Sequence, residues 1–438
     1  MITEQDVKHA LKTIIDPDLH QDIVTLGFVR NIKIEGAKVS LEIALTTPAC
    51  PIKSEFQSKA ESLVRALKGV QAVDVRMTSA PLAARQPTAA PSSENLKEVG
   101  AIVAVSSCKG GVGKSTVAVA LAVELAGRGF KVGLLDADIH GPSVPALFNL
   151  SRVQVKTNAS QQILPVEVHG LKLMSFGFLL GDAPAVMRGP IVTRYIQQLL
   201  FSVAWGKLDY LFLDFPPGTG DVQLTITQSV RLTGAVIVTT RQSLALVDVA
   251  RGILMFEKVH VPILGVIENM AYFICDQCDK KHFIFGESHT QSLESRFGIP
   301  TLAEIPILGS LTQTFERPVV NAFVQNAVDQ VVRAIGRNSL IDRTPPEIQF
   351  DAQAIHLKFK DGRSWTVPNL DLRLSCQCAL CVNELTGKAL LDPAAIRPGI
   401  APTQITPLGH YAIGITWNDG HSSGIYPYKN IEMLSQAT

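Results

Sequence analysis

Residues 108–116 read CKGGVGKST and follow directly on an apolar, β-branched run, AIVAVSS, at residues 101–107. Three glycines let the backbone turn tightly and point its N–H groups at phosphate oxygens. Lys114 is placed to reach the β- and γ-phosphates of a nucleotide such as ATP, and Ser115 to offer its hydroxyl to Mg²⁺. The residues expected to bind nucleotide here are Gly110, Gly111, Val112, Gly113, Lys114, Ser115 and Thr116. A strand before the glycines and a helix after them predict a P-loop.

Two residues of this stretch need separate interpretation. Lys109 adds a second cation, which cannot comfortably reach the same phosphates as Lys114 from the same loop. Its alternative is a solvated surface lysine. Cys108 replaces the usual first glycine of the motif, at a position that tolerates little bulk. We expect Cys108 to pack inside the loop and assign it no metal.

Acidic residues follow two further strand patterns downstream of the P-loop. LLDADIHGPS ends a strand with Asp136 and Asp138, and YLFLDFPPGTGD ends another with Asp214 before a loop that closes at Asp221. Carboxylates at the carboxyl ends of parallel strands can hold Mg²⁺ or orient the attacking water. Asn269, in VIENM, also follows a strand; it is a candidate to bind adenine, or else a turn asparagine.

Composition limits the class of protein. The 438 residues are 46% hydrophobic and 18% charged, with a net charge of +1, which argues against disorder and gives no global case for nucleic acid or anionic membrane. No apolar run is long enough to span a bilayer, and the start, MITEQDVKHALK, lacks signal- and transit-peptide patterns. Seven cysteines, mostly in or beside motifs, indicate a reducing compartment in which thiols stay free. With no signal or transit peptide seen, a bacterial-type cytoplasmic location is expected.

The chain is expected to divide into three domains. Residues 80–97 include APLAARQPTAAPSSEN and predict a flexible linker. Residues 1–79 predict a small α+β domain, with a helix from Thr3. Residues 98–337 predict an α/β P-loop NTPase whose apolar strands alternate with helices, as in a mostly parallel, doubly wound sheet. Residues 345–438 predict a β-rich domain.

Local patterns place several elements inside these domains. The first helix is expected to run from Thr3, its N-cap, to Ile15. The strands expected in the sheet are AIVAVSS, KVGLLD, YLFLD, AVIVTT and PILGVIE. In the last domain AIHLKFKDGRSWTV predicts a hairpin that turns at Asp361 and Gly362.

Cysteines form two candidate metal sites. Cys275 and Cys278 are a C-x-x-C pair in YFICDQCDKKHFIFG, and such a pair is half of a four-thiolate site, a redox disulfide or a coincidence. A redox pair fits poorly, because that motif opens a helix directly after a strand. Four sulfurs suit an iron–sulfur cluster or zinc.

The second group is Cys376, Cys378 and Cys381, with His421 forty residues later, a Cys₃His set typical of structural Zn²⁺. His410 competes as the fourth ligand, and a second cluster or free thiols are the alternatives. Cys50, in TTPACP, precedes a helix whose N-terminus would favour its thiolate. A small packed cysteine is the favoured interpretation of Cys50, and a thiol that touches a cluster in transit is the alternative.

Five motifs in this order, SSCKGGVGKST, DADIHGPS, MRGP (Met187–Pro190), DFPPGTGD and ENMAYFIC, resemble the Mrp/ApbC family of deviant Walker-A P-loop ATPases that carry iron–sulfur clusters. IIDPDLHQDIVTLGFV and TTPACP resemble a SufT-like domain, and the last domain resembles the N-terminal domain of gamma-butyrobetaine hydroxylase. The three-part order is similar to the plastid high-chlorophyll-fluorescence scaffold form of the family.

The resemblance implies roles for particular residues. Lys109 becomes the signature lysine, which reaches the nucleotide of a dimer partner, Asp138 the switch carboxylate and Asp214 the Walker-B acid. Cys275 and Cys278 become cluster ligands. Arg241 departs from the family, which commonly has proline there, and this change is expected to affect nucleotide affinity.

A [4Fe–4S] cluster takes four thiolates, so two C-x-x-C pairs on the axis of a homodimer would complete one. The expected function is a slow ATP hydrolase that receives [4Fe–4S] clusters from donor scaffolds and transfers them to apo-protein acceptors. A partitioning or positioning ATPase, and a scaffold in which nucleotide only stabilises the dimer, are the alternatives. Neither nucleic acid nor membrane is an expected partner.

Overall fold

The computed structural model describes residues 2–79, 96–139, 141–150, 153–180, 189–218, 220–241, 244–286, 294, 297–312, 321–340, 345–378, 380–382, 388–408 and 412–437. Five features named above lie wholly or partly outside these residues: the stretch 80–95 of the expected linker, His410, the first half of MRGP, DADIHGPS at His140 and DFPPGTGD at Thr219. None of the helices in the described part of the chain is both long and apolar enough to cross a membrane.

The N-terminal unit is a small α+β structure, as predicted. Its elements are α1 (Glu4–Leu11), β1 (Val29–Glu35), β2 (Lys38–Leu45), α2 (Lys53–Arg65) and β3 (Ala72–Ser79). Strand β2 is central, antiparallel to β1 and parallel to β3.

Helix α1 begins and ends at recognisable signals. Thr3 caps it and exchanges hydrogen bonds with Asp6, which confirms the predicted start. The helix ends at Leu11, four residues before the predicted end, because Ile15 forms a β-bridge with Asp22 instead.

The central unit contains an eight-stranded sheet. Its elements are β4 (Val99–Ser106), α3 (Lys114–Gly127), β5 (Val132–Asp136), α4 (Val144–Leu147), β6 (Val166–Val168), β7 (Leu171–Ser175), α5 (Gly177–Leu180), α6 (Gly189–Phe201), β8 (Leu208–Asp214), α7 (Asp221–Ser229), β9 (Gly234–Thr239), α8 (Leu244–Lys258), β10 (Ile263–Glu268), β11 (Phe273–Ile274), β12 (Lys281–His282), β13 (Thr301–Glu304), α9 (Gly309–Thr312) and α10 (Ala322–Leu340). The strand order is β13-β10-β9-β4-β8-β5-β7-β6, and only β6 runs antiparallel to its neighbour.

This sheet confirms the predicted α/β class. The five predicted strands are β4, β5, β8, β9 and β10, which occupy adjacent positions of the sheet and are almost completely buried. Continuous apolar sequence is what burial on both faces of a parallel sheet requires. The strands that the pattern did not indicate, β6, β7 and β13, are three to five residues long and lie at the two edges of the sheet.

The C-terminal unit is β-rich, as predicted. Its elements are β14 (Glu347–Phe350), β15 (Ala354–Lys358), β16 (Ser364–Pro368), α11 (Asn369–Leu374), a 3₁₀ turn (Pro393–Ala395), β17 (Pro402–Leu408), β18 (Ala412–Trp417), β19 (Gly424–Pro427) and α12 (Tyr428–Ala437). They form two antiparallel three-stranded sheets. The predicted hairpin is β15–β16, and Gly362 in its turn has φ +92°.

Candidate functional site

The carboxyl ends of β4, β5 and β8 place the predicted phosphate site at one edge of the sheet. Strand β8 lies between β4 and β5, and Asp136 is directly opposite Asp214 in the β5–β8 register. The P-loop runs from the end of β4 to the start of α3, and the backbone N–H of Gly218 donates to the Ser107 carbonyl at 3.0 Å. The loop after β8 is therefore bonded to the P-loop.

Glycine is required within the P-loop for two separate reasons. Gly111 and Gly113 both have φ +80°, in the left-handed region that side chains disfavour. A Cβ at Gly113 would also lie 2.2 Å from Asn269 Nδ2. That amide donates to the Val112 carbonyl at 2.9 Å, so Asn269 supports the P-loop directly. The proposed contact of Asn269 with adenine stays a prediction.

Lys114 and Asp214 form a buried ion pair at the base of this loop. Lys114 Nζ is 2.5 Å from Asp214 Oδ1 and 3.2 Å from Ser115 Oγ, and the two charged side chains are almost completely buried. The second oxygen, Asp214 Oδ2, has no hydrogen-bond partner among the described residues. An unpartnered carboxylate oxygen beside a serine hydroxyl is the donor set that Mg²⁺ takes in P-loop enzymes.

The two facing carboxylates differ in their partners. Asp136 accepts hydrogen bonds from Ser175 Oγ at 2.9 Å and from the backbone of Asp138 and Val144. Burial, and then the charge of Asp214, raise the pKa of Asp136 to about 7. Burial also raises the pKa of Asp214, although Lys114 opposes that shift. Ser175 contacts the site but belongs to β7, which no sequence pattern had indicated.

Asp138 and Lys109 lie nearer the surface. Asp138 is half-buried and accepts a hydrogen bond from the Gly141 N–H at 3.3 Å. Lys109 is exposed, and its carbonyl accepts a hydrogen bond from Ser107 Oγ at 3.0 Å. The charge of Asp138 also acts on Asp214, raising its pKa. The catalytic roles of Asp138 and Lys109 stay predictions.

Cys108 fits at its unusual position because α8 has a glycine beside it. A Cβ at Gly252 would lie 2.2 Å from the Cys108 sulfur, so the thiol occupies the space that a side chain would take. The close approach supports the expectation that Cys108 packs rather than binds metal.

Cys275 and Cys278 lie in a short hairpin, residues 273–283, called here the cysteine hairpin. Strands β11 and β12 pair antiparallel, and the Cys275 backbone exchanges hydrogen bonds with Lys280 and Asp279 at 3.0 and 2.9 Å. Cys278 is exposed and Cys275 is partly exposed. The backbone of Gln277, followed by the backbone and side chain of Cys278, lowers the pKa of Cys275. This favours the thiolate, the form that binds metals.

Arg241 is a buried residue whose surroundings the sequence did not reveal. Its guanidinium contacts Glu268 at 3.0 Å and Glu304 at 2.8 Å, and it lies 4.9 Å from the centre of the Phe283 ring. Acidic residues at two strand ends gave no signal that one arginine would pair with both. The expected effect of Arg241 on nucleotide affinity stays a prediction.

The C-terminal cysteines meet His421 in one buried cluster. Ligand atoms of Cys376, Cys378, Cys381 and His421 all lie within 4.8 Å of one another, an arrangement that could hold a metal ion. The His421 Nε2 is 3.3, 3.6 and 3.9 Å from the three sulfurs in chain order. Arg373 Nη1 donates to the Cys381 sulfur at 3.4 Å, which would offset part of the charge of a metal-bound thiolate.

The pKa of Cys50 differs from the prediction. Its position before α2 predicts a thiolate favoured by the helix N-terminus, but burial raises the pKa of Cys50. The residue lies at the contact between the N-terminal and central units, beside Thr47, Arg333 and Gly336. Desolvation outweighs the helix terminus here, since α2 begins only at Lys53.

A glycine-rich loop between a buried strand and a helix, with two buried carboxylates beside it, defines a P-loop NTPase. The family described as "NUBPL iron-transfer P-loop NTPase" matches residues 98–339, more than half of the chain, and the chain belongs to that family. Residues 4–75 match "Iron-sulfur cluster assembly protein", and residues 347–432 match "Gamma-butyrobetaine hydroxylase-like, N-terminal".

Curated relatives are similar over most of the chain. The "Fe-S cluster assembly factor HCF101, chloroplastic" of Oryza sativa subsp. japonica is 43% identical over 447 residues, covering 99% of this chain and 83% of the relative. The "Iron-sulfur cluster carrier protein" of Synechocystis sp. is 42% identical, covering 77% of this chain and 97% of the relative. Among solved structures, a nucleotide-binding protein of Archaeoglobus fulgidus in complex with ADP is 40% identical, with a TM-score of 0.45, covering 55% of this chain and 90% of that one.

Proposed function

We propose that this protein is an ATP-dependent iron–sulfur cluster carrier that holds one [4Fe–4S] cluster between two copies of the chain and transfers it to apo-proteins. The observation that carries the proposal is the cysteine hairpin, which presents two accessible thiols on the same unit as a P-loop. Its family and its curated relatives, named as cluster carriers and assembly factors, support the same function.

The hairpin suits a cargo site better than a permanent one. Cys278 is exposed, and the thiolate of Cys275 is favoured by neighbouring N–H groups, so both sulfurs are available without unfolding. Each chain supplies two thiolates, and a [4Fe–4S] cluster takes four. A twofold dimer therefore completes the ligand set at its axis, with the cluster exposed to acceptors.

Nucleotide chemistry follows from the P-loop residues. Lys114 and the loop N–H groups would bind the phosphates, with Ser115 and Asp214 at Mg²⁺ and Asp138 at the attacking water. Lys109 would reach the nucleotide of the partner subunit, so that ATP binding reorients the two chains and the cysteine pairs. Hydrolysis would then be slow, at roughly 10⁻⁴–10⁻² per second, as in P-loop enzymes without an activator.

The C-terminal Cys₃His cluster fits structural Zn²⁺. Its four ligand atoms are close together and its thiols are buried, which suits a closed tetrahedral site. Zinc there would stabilise the C-terminal unit. The N-terminal and C-terminal units would recruit the proteins that donate or accept the cluster. The protein would work in a compartment that keeps thiols reduced.

Anaerobic reconstitution with iron and sulfide tests the carrier function. We expect about four iron atoms per dimer, with loss of the cluster in Cys275→Ala and Cys278→Ala but retention in Cys376→Ala. Loss of the cluster in Cys376→Ala alone would mean that the C-terminal cysteines bind it. A chain that stays strictly monomeric with ATP would contradict the bridging arrangement. Binding of ATP without turnover, even with cluster present, would favour the scaffold alternative.

A further inference from the structure

Arg241 connects the strand ends beside the P-loop to the cysteine hairpin. Its Nε is 3.0 Å from Glu268 Oε2 and its Nη2 is 2.8 Å from Glu304 Oε1, at the ends of β10 and β13. The same guanidinium lies 4.9 Å from the ring centre of Phe283, which directly follows β12. One planar group therefore contacts two strands and the hairpin at once.

The end of β10 also contacts the P-loop. Asn269, which follows Glu268, donates from its side chain to the Val112 carbonyl at 2.9 Å, and its backbone N–H donates to the Thr239 carbonyl at 2.8 Å. A nucleotide that shifts the Val112 carbonyl would act on Asn269 through this hydrogen bond. Glu268 is the direct neighbour of Asn269 in the chain, so a shift of Asn269 would reach Arg241 through a single peptide.

The backbone between Asn269 and the hairpin is short and strained. Met270 has φ +53°, a left-handed conformation that is unusual for a residue with a side chain. Two residues further on, Tyr272 is buried and packs edge-to-face on Phe283, with ring centres 6.1 Å apart. Strained backbone of this kind is found at segments that switch between conformations.

We propose that Arg241 is a positioning residue, which couples nucleotide at the P-loop to the exposure of Cys275 and Cys278 by holding Phe283. Arginine suits the position because its planar group pairs with two carboxylates and stacks on a ring, whereas a lysine ammonium cannot do both. The inference rests on the proposed function in that these thiols bind the cargo. The coupling itself requires no iron.

Site-resolved alkylation of iron-free, full-length protein by N-ethylmaleimide, measured by mass spectrometry, tests this proposal. For Cys275 and Cys278 we compare the alkylation rate with saturating Mg·AMPPNP to the rate without nucleotide. We expect the two rates to differ about fivefold, which is at the lower end of usual coupling between sites. Phe283→Leu should reduce the ratio of the rates with and without AMPPNP to near one. Because coupling is reciprocal, the AMPPNP affinity should change by no more than the same factor of about five. Arg241→Lys should reduce the ratio too, because the charge remains but the stacking is lost.

A matched control exists in the C-terminal unit. Arg363 lies 4.9 Å from the centre of the Phe359 ring, so Phe359→Leu removes an equivalent contact elsewhere and should keep the fivefold ratio. Arg241→Met would remove the ion pair of the buried Glu268 with Arg241, so the double variant Arg241→Met, Glu268→Gln is the one to examine. It should fold and lose the fivefold ratio.

Two outcomes would overturn the proposal. One is an unchanged ratio in Phe283→Leu and Arg241→Lys, and the other is a wild-type protein whose thiol rates do not respond to AMPPNP. Cluster reconstitution, measured separately, distinguishes failure of the coupling from failure of the carrier function. A chain that couples nucleotide to its thiols but binds no cluster would keep this inference and contradict the function.

Discussion

Asn269 and Val112, 157 residues apart in the chain, are joined by a hydrogen bond from the Asn269 side-chain amide to the Val112 carbonyl at 2.9 Å. The bond ties the end of β10 to the centre of the P-loop. It depends on Gly113, whose missing side chain leaves the space that Asn269 Nδ2 occupies.

Gly113→Ala should therefore destabilise the protein more than Gly111→Ala. Both residues have φ +80°, which costs about 1–2 kcal/mol with a side chain, but only at Gly113 does the new Cβ meet Asn269. Loss of that hydrogen bond adds about 1 kcal/mol. Urea unfolding without nucleotide measures the difference, and equal losses in the two variants would show that the Asn269 contact contributes nothing.

Glu257 should make stability fall as the pH rises. Both of its carboxylate oxygens are buried without a hydrogen-bond partner among the described residues, and burial raises its pKa from 4.5 to about 8. Between these pKa values the native state keeps a proton that the unfolded state has released, so the free energy of unfolding decreases with pH until about 8.

The comparison is with Glu257→Gln, which has no charge to bury. Its unfolding free energy should depend less on pH than that of the wild type between pH 5 and 8, by an amount of the order of a few kcal/mol. Parallel pH profiles for the two proteins would place the Glu257 pKa near its ordinary value.

Metal removal should affect the C-terminal unit without disturbing the P-loop. Cys378→Ser should lower bound zinc from about one atom per chain to nearly none, because a structural site needs its full ligand set. The near-ultraviolet circular dichroism of the nearby Trp417, whose backbone N–H donates to the His421 carbonyl, should weaken, while nucleotide affinity stays constant.

Cys50→Ser is the matched thiol control for that experiment. Cys50 lies outside the Cys₃His cluster, so its variant should keep the full zinc content. Zinc retained by Cys378→Ser, measured by elemental analysis, would contradict the assigned ligand set.

Gly336→Val should separate the N-terminal unit from the central one. A Cβ at Gly336, on α10, would lie 2.6 Å from Thr46 Oγ1, next to the ion pair of Arg333 with Asp18 at 3.4 Å. Opening this contact exposes Cys50, so its alkylation should accelerate about tenfold, equivalent to about 1.4 kcal/mol.

Gly127→Val, in α3, provides the control. It is also a helical glycine, but a Cβ there meets no heavy atom within 4 Å, so the Cys50 rate should stay at the wild-type value. Equal Cys50 rates in Gly336→Val and Gly127→Val would mean that the contact with Thr46 does not hold the units together.

The local features of this protein were predictable from sequence, because each depends on residues that are neighbours in the chain. The P-loop is a run of nine residues between a strand and a helix, and the hairpin at Gly362 is set by its own turn. The buried strands of the central sheet were equally clear, since burial on both faces requires continuous apolar sequence.

Tertiary structure decided the features that depend on distant partners or on desolvation. The pairing of Arg241 with Glu268 and Glu304 brings together the ends of three strands. The pKa of Cys50 rises because packing buries it where two units meet, which outweighs its position before a helix. Sequence determines which charged groups and thiols the chain carries. Packing determines how far each group is removed from water. A buried group then needs a partner inside the protein, and its pKa shifts.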